Sequence, residues 1–407
     1  MKIVLSGYYG FDNAGDEALL MAISGALHAL APEAELVVFS GAPERTEELH
    51  GLSAVYYMSP IAVWRELWNT DLLISGGGSI FQDVSSWRSL PYYISVVSLA
   101  KLFRKPVIFY AQGVGPINRP FSRLLMRLVA NRVDMITLRD DASREYLLEL
   151  GVTRPPMRVT ADPVFSLDAA DDDDPAVREL LDALEFPAVG VAVRHWAPLD
   201  GYQPELALCL DELAARGYEI LFIAMDWPED LEEARRVEAL MRQPARILEQ
   251  KLGSREHLAL ISHLDLMIGM RLHALIFAAS QGVPVGGIAY DPKVEAFLHN
   301  LHQTPLALEH EAMQAQLEPL LAGGSQRDVL RQWALDMREQ ADENARLALE
   351  LVQGQNRREQ DKAEDDAITS PLPIQDGEEA EALSASTGKN FIGVAAMIFL
   401  AKLLGFA

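Results

Sequence analysis

The sequence predicts an α/β protein: two doubly wound, Rossmann-like domains facing each other across a cleft, with an added C-terminal helix and tail. Three observations carry this expectation. Short apolar runs alternate with helical patterns, the runs of the first half end in glycine-rich turns, and a second series restarts after an acidic break. Strand, turn and helix in repetition imply a parallel sheet covered on both faces. A length of 407 residues is also too great for one ordinary core.

The elements follow in order. Residues 2–6 read as a strand, followed by Gly7 to Gly10 and a helix over about 16–30. Residues 35–40 form a second strand, and 70–75 a third that ends in Gly76, Gly77 and Gly78. Residues 106–112 form a fourth, ending in the turn that opens with Gly113, and 135–138 a fifth, ending in Arg139 and Asp140. These make up a first domain over 1–166. The run Asp171 to Asp174 reads as part of a solvated linker over 167–187. Strands at 188–193, 219–224, 245–247, 265–268 and 285–288, with a helix at 274–280, form a second domain over 188–310. Residues 311–356 are helical in pattern and expected to pack back across the domains. Residues 357–389 are polar and acidic and read as a flexible linker, and 390–407 form an apolar tail.

Composition narrows the function classes. Hydrophobic residues at 49% and charged residues at 23% fit a globular chain. A formal net charge of −24 argues against nucleic acid as a partner. The one cysteine, Cys209, excludes an internal disulfide and a multi-cysteine zinc site, and its apolar helical setting reads as packing. The N-terminus lacks the long apolar region of a signal peptide, so a cytoplasmic body is expected.

The segment most suggestive of chemistry is GMRLHA at 269–274, followed after a Gly–Val–Pro turn by YDPK at 290–293. Arg271 offers a planar fork for carboxylate or phosphate, Lys293 a point charge, and His273 a group that moves protons near neutral pH. Arg271 and His273 fall at the carboxyl end of a strand, where open α/β sheets bind ligands. The alternative is that His273 packs against its helix and Arg271 forms an ion pair; the return of Lys293 favours a site. Arg139 and Arg194 also end strands, with Asp140 or Asp141 able to neutralise Arg139.

In the first half, the segment GYYGFDNAGDE at 7–17 lies between a strand and a helix. Its glycines permit close backbone approach and its helix N-terminus favours anions, although Asp16 and Glu17 also suit a first helical turn. The spacing is that of neither a dinucleotide fingerprint nor a P-loop. At these strand ends Gly7, Asn13, Asp16, Gly77, Gly78, Gln82, Asp83, Gln112 and Gly113 are the candidates for substrate binding. The Asp, Glu and His residues form no recognisable ligand set, so neither a metal nor another cofactor is required.

The two-domain plan matches the GT-B arrangement of glycosyltransferases. The chain further resembles the polysaccharide pyruvyl transferase family, in particular its bacterial cell-wall branch of the CsaB type. The resemblance rests on GYYGFDNAGDE at 7–17, SGGGSIFQD at 75–83, AQGVGP at 111–116, LRD at 138–140 and GMRLHA at 269–274 with Lys293, over residues 1 to about 310. It implies a GT-B-like fold and transfer of pyruvate from phosphoenolpyruvate to a sugar, forming a cyclic ketal. It places Arg271, His273, Lys293 and Arg139 at the donor site, with Arg194 carried over less directly. His273 is then expected to act as general acid, because imidazolium is the available donor near pH 7. A nucleotide-sugar glycosyltransferase and a sugar-polymer-binding protein are the competing readings. Residues 391–407, almost continuously apolar with only Lys402 charged, suggest attachment to the cytoplasmic face of a membrane, where a lipid-linked oligosaccharide acceptor would reside.

Overall fold

The computed structural model describes residues 1–84, 88–199, 201–322 and 324–369. Among these, the first half holds β1 (Lys2–Tyr9), α1 (Ala14–Leu30), β2 (Glu35–Ser40), α2 (Pro43–His50), β3 (Ser53–Tyr56), α3 (Pro60–Asn69), β4 (Leu72–Gly76), α4 (Ser89–Leu102), β5 (Val107–Gln112), α5 (Pro120–Ala130), β6 (Met135–Leu138), α6 (Asp141–Glu149) and β7 (Met157–Val159). The second half holds α7 (Pro175–Asp182), β8 (Ala188–Ala192), α8 (Tyr202–Ala215), β9 (Glu219–Phe222), α9 (Glu229–Glu238), β10 (Arg246–Ile247), α10 (Ser254–Ser262), β11 (Leu266–Gly269), α11 (Leu272–Ser280), β12 (Val285–Gly287) and α12 (Pro292–Asn300). Two more helices follow, α13 (His310–Leu321) and α14 (Gly324–Thr369).

The strands form two wholly parallel sheets, in the orders β3-β2-β1-β4-β5-β6-β7 and β10-β9-β8-β11-β12. Helices cover both faces, so the central strands are apolar throughout rather than alternating. Ile3, Val4 and Leu5 of β1, and Leu72, Leu73 and Ile74 of β4, have no exposed surface. Strand order reverses between β1 and β4 in one sheet and between β8 and β11 in the other. At each reversal the loops diverge and leave a crevice at the carboxyl ends of the strands. The two-domain α/β expectation holds.

The edges depart from the sequence reading. β3 and β7 were not anticipated: both are short and incompletely buried, so neither shows a continuous apolar run. The acidic stretch expected as linker contains α7, capped by Asp174 through the Ala176 amide and packed by Val177 and Leu180. The C-terminal helical region is two helices, and the second continues to Thr369, beyond the expected start of the linker at 357. Residues 370–407, which include the rest of that linker and the apolar tail, lie outside the described residues. Among the described residues no helix is long and apolar enough to cross a membrane.

The halves are joined closely beside α1. The Ala14 amide donates to the Met225 carbonyl at 2.9 Å, Asn13 and Asp226 form an antiparallel bridge, and Lys251 reaches Asp12 at 2.8 Å. α14 joins them again, as expected of a helix packing back across the domains. Its Ala334 and Ala341 sit in the core around β8 and α11, while Ala345, Ala348, Leu349 and Val352 complete the core around β1 and α1.

Candidate functional site

A cleft of about 350 Å³ opens between the two reversal points. From the first half it is lined by Tyr8, Asn13, Asp16, Gly78, Ser79, Gln82, Tyr93 and Arg139; from the second, by Met225, Arg271, His273, Tyr290 and Lys293. Three helices begin here. Asn13 caps α1 by accepting from the Gly15 and Asp16 amides at 3.1 and 3.2 Å. Arg271 occupies the cap position of α11, and Asp291 caps α12 through the Lys293 amide at 3.0 Å. Helix N-termini aimed at one space favour negative charge there.

The cations are held by carboxylates. Arg139, nearly buried, donates from Nη1 to Asp162 at 3.0 Å and from Nη2 to the Ser79 hydroxyl at 2.7 Å. Gly113 makes room for it, since a Cβ there would stand 2.6 Å from Arg139 Nη2. Arg271 donates from Nε to both oxygens of Asp230, at 3.1 and 2.9 Å, and from Nη2 to Asp226 at 3.0 Å. Burial raises the carboxyl pKa of Asp230, while the Arg271 charge opposes the rise. Lys293 is freer: its Nζ is 3.9 Å from Asp291 and 5.7 Å from the Tyr290 ring centroid.

His273 stands among these cations on the first turn of α11. Its Nε2 is buried and has no hydrogen-bond partner among the described residues. The ring packs against the start of α1 so closely that a Cβ on Gly15 would lie 2.0 Å from His273 Nδ1. Burial lowers its pKa to about 4; Asp162 opposes the shift, and Arg139, Lys293 and Arg271 add to it. Surrounded by protein groups alone, His273 is therefore neutral at pH 7, which corrects the expectation of a ready imidazolium. Asp16 moves the other way. Burial, then Glu17, raises its pKa to about 7 against the pull of Lys293 and Arg139, so it titrates near neutrality. Gly78, at φ +78°, brings the backbone beside it: a Cβ there would be 3.1 Å from Asp16 Oδ1.

Asn13, Asp16, Gly78, Gln82, Arg139, Arg271, His273 and Lys293 are thus brought together. The other sequence candidates stand outside the lining. Gly7 yields space to the Tyr9 ring, whose hydroxyl donates to the Gly76 carbonyl at 2.6 Å. Gly77, at φ +77°, turns the chain over Leu19. Asp83 accepts from the Asn118 and Arg119 amides at 2.7 and 2.9 Å and so shapes the 116–119 loop. Gln112, fully buried, donates to the Ser75 carbonyl at 3.0 Å. Arg194 stands behind Tyr290, donating to its hydroxyl at 3.1 Å and lying 5.3 Å from the Trp196 ring centroid.

Sequence reasoning assigned no role to Asp162, Asp226, Asp230 or Tyr290. Asp230 lies on the first turn of α9, and Asp226 in the segment just ahead of that helix, bridged to Asn13. Their target, Arg271, is revealed only by the fold.

Comparison with known proteins follows the same lines. The family described as polysaccharide pyruvyl transferase matches residues 13–292, which include Arg139, Arg271 and His273 and end one residue before Lys293. The amylovoran biosynthesis protein AmsJ of Erwinia amylovora is 23% identical over 264 residues, 60% of this chain. That match spans 62% of the relative's own length. Among solved structures, a protein described as a UDP-N-acetylglucosamine 2-epimerase from Listeria monocytogenes superposes with a TM-score of 0.65 at 14% identity, covering 88% of this chain and 97% of that one. The UDP-GlcNAc 2-epimerase of Neisseria meningitidis bound to UDP-GlcNAc gives 0.60 at 13% identity, covering 87% and 100%. HepE of Anabaena in complex with UDP-glucose gives 0.57 at 15%, covering 88% and 100%. At these identities the structural likeness concerns the fold.

Proposed function

This chain belongs to the polysaccharide pyruvyl transferase family, and from that premise we propose that it transfers pyruvate from phosphoenolpyruvate to a sugar of a lipid-linked surface-polysaccharide precursor, forming a cyclic ketal and releasing phosphate. The observation that carries the reading is the meeting of Arg139 with Arg271 and Lys293 around an unpartnered imidazole nitrogen in one small cleft. Phosphoenolpyruvate brings a carboxylate and a phosphate. A guanidinium has five N–H donors, so the carboxylates that orient Arg139 and Arg271 leave others to bind the donor by charge-assisted hydrogen bonds.

The reaction balances on two sugar hydroxyls. A proton is delivered to the methylene carbon of phosphoenolpyruvate, C2 becomes electrophilic, and the first hydroxyl adds there. The C2–O bond to phosphate then breaks, its electron pair leaving with phosphate, and the second hydroxyl closes the ketal. Of the two hydroxyl protons, one replaces the proton given to carbon and the other departs on phosphate. His273 is the proposed acid. The bound donor's negative charge reverses the effect of the neighbouring cations and draws a proton onto the imidazole. Arg271 and Lys293 stabilise phosphate as it leaves, and Asp16, titrating about 7, accepts a hydroxyl proton from the acceptor side. Asn13, Gly78 and Gln82 line the acceptor side of the same space.

The test is phosphate release from phosphoenolpyruvate in the presence of a disaccharide-lipid acceptor, with His273→Ala as control. Turnover of His273→Ala close to that of the parent chain overturns the acid assignment. The nucleotide-sugar reading is favoured by the UDP-sugar ligands of the structural neighbours. UDP release from UDP-sugars without phosphate release from phosphoenolpyruvate would establish it instead.

A further inference from the structure

The outer surface of α3, α4 and α5 is unlike the rest of this acidic chain. These helices follow β3, β4 and β5 in turn and share one core over one face of the larger sheet. α5 is apolar on two sides. Ser122, Met126 and Ala130 face inward, while Phe121, Leu124 and Leu128, one helical face by their spacing, point to solvent. Phe121 is 65% exposed. On the other side of α4, α3 exposes Ile61 at 84% and Trp68 at 48%, and α4 itself ends on exposed Leu102. Trp68 stacks near Trp64 and meets Phe103 edge-on at 5.1 Å, which makes an aromatic ridge rather than an isolated side chain. Exposed apolar surface gathered in this way marks an interaction site.

Charge identifies the partner. The chain carries −24 overall, yet between Asp83 and Asp134 it has no acidic residue and eight Lys and Arg. Among the described residues, Arg104, Lys105, Arg123, Arg127 and Arg132 have no carboxylate within ion-pair distance. Their charges therefore stay uncompensated among the apolar side chains. The surface is built of whole helices packed side by side. Interfacial Trp and Phe flanked by arginines with long apolar stems suit the boundary between lipid headgroups and acyl chains. We propose that this face of the first half docks on an anionic lipid bilayer, independently of the apolar tail at 390–407. α4 begins at Ser89 and carries Tyr93, both of which line the cleft, so a bilayer on this face lies next to the cleft mouth.

The full chain is tested by flotation with vesicles of phosphatidylcholine alone and with phosphatidylglycerol added, no substrate being present, so the outcome is separate from that of the proposed reaction. The parent chain should bind the anionic vesicles, and more weakly as salt rises. The combination Phe121→Ser, Leu128→Ser, Arg127→Glu and Arg132→Glu should reduce binding at least about tenfold. Its melting temperature and turnover of a water-soluble acceptor should stay those of the parent. The tail is present in both proteins, so its contribution cancels. Should the fourfold variant fold poorly, Arg127→Gln with Arg132→Gln reads the same surface as a shallower salt dependence. Equal binding by parent and variants overturns the proposal, as does failure of the parent to bind anionic vesicles.

Discussion

Placing a methyl group on Gly15 probes the seating of His273 without touching any charged group. The new Cβ would lie 2.0 Å from His273 Nδ1 and 2.3 Å from its Cγ, where ordinary contact begins near 3.4 Å. The α1 backbone is fixed by the Asn13 cap and by the Ala14–Met225 hydrogen bond, so the imidazole is what yields. It must retreat by roughly 1 Å or more, a displacement that costs a positioned catalytic group about a hundredfold in rate, or about 2.7 kcal/mol of barrier. Stability changes less. Overpacking costs about 1–3 kcal/mol, and the better helix propensity of alanine returns up to about 1 kcal/mol. Phosphate release and thermal melting of Gly15→Ala therefore separate the two effects. In a His273→Ala background only the 2.8 Å approach to the residual Cβ remains, so Gly15→Ala should then cost little further rate. Turnover of the single variant within twofold of the parent would refute this account, as would an undiminished loss when His273 is already alanine.

Three further expectations concern the groups around that imidazole. Burial holds the Asp16 pKa near 7, above its unfolded value, so the folded protein keeps a proton there that the unfolded chain releases. Stability from this group falls as pH rises from the ordinary carboxylate range through 7; Asp16→Asn should gain stability relative to the parent at pH 8 and less at pH 5, read by urea unfolding, and should lose turnover. Asp230→Ala removes the buried carboxylate that receives Arg271 Nε and should cost about 3–5 kcal/mol in the same unfolding assay; an unchanged midpoint would mean that Asp226 alone holds the guanidinium. Gly113→Ala puts a Cβ 2.6 Å from Arg139 Nη2 and should raise KM for phosphoenolpyruvate roughly tenfold with a smaller effect on kcat, measured by phosphate release.

What could be read from the chain, and what could not, divides along physical lines. β1, β4 and β5 are buried on both faces, so each appears as an unbroken apolar run with a turn signal behind it. β3 and β7 lie at the two edges of the sheet, where a strand needs less apolar surface and leaves a weaker trace. The cleft itself was legible in part: Arg271, His273 and Lys293 converge with Arg139 as their places at strand and helix ends suggest. Asp83 and Gln112 look no different in sequence from ligand-binding residues. Their partners are main-chain groups of the loop after β5 and of β4, respectively, which only folding brings near. The protonation of His273 was the least accessible property. It depends on burial and on the summed charge of groups from both halves, of which only Arg271, two residues away, is near in sequence.

The course of α14 bears on how the molecule is assembled during synthesis. Ala345, Ala348, Leu349 and Val352 close the core that also contains Ile3, Leu5, Leu20 and Ile74. This side of the larger sheet thus waits for α14, the last helix among the described residues, before its apolar surface is covered. A nascent chain ending near residue 310 would carry both sheets with that surface open, a state prone to aggregate or to recruit chaperones. The halves of this protein are therefore not successive folding units, each finished as it leaves the ribosome. The N-terminal half matures only when α14 returns to it, and its final packing is in effect a C-terminal event.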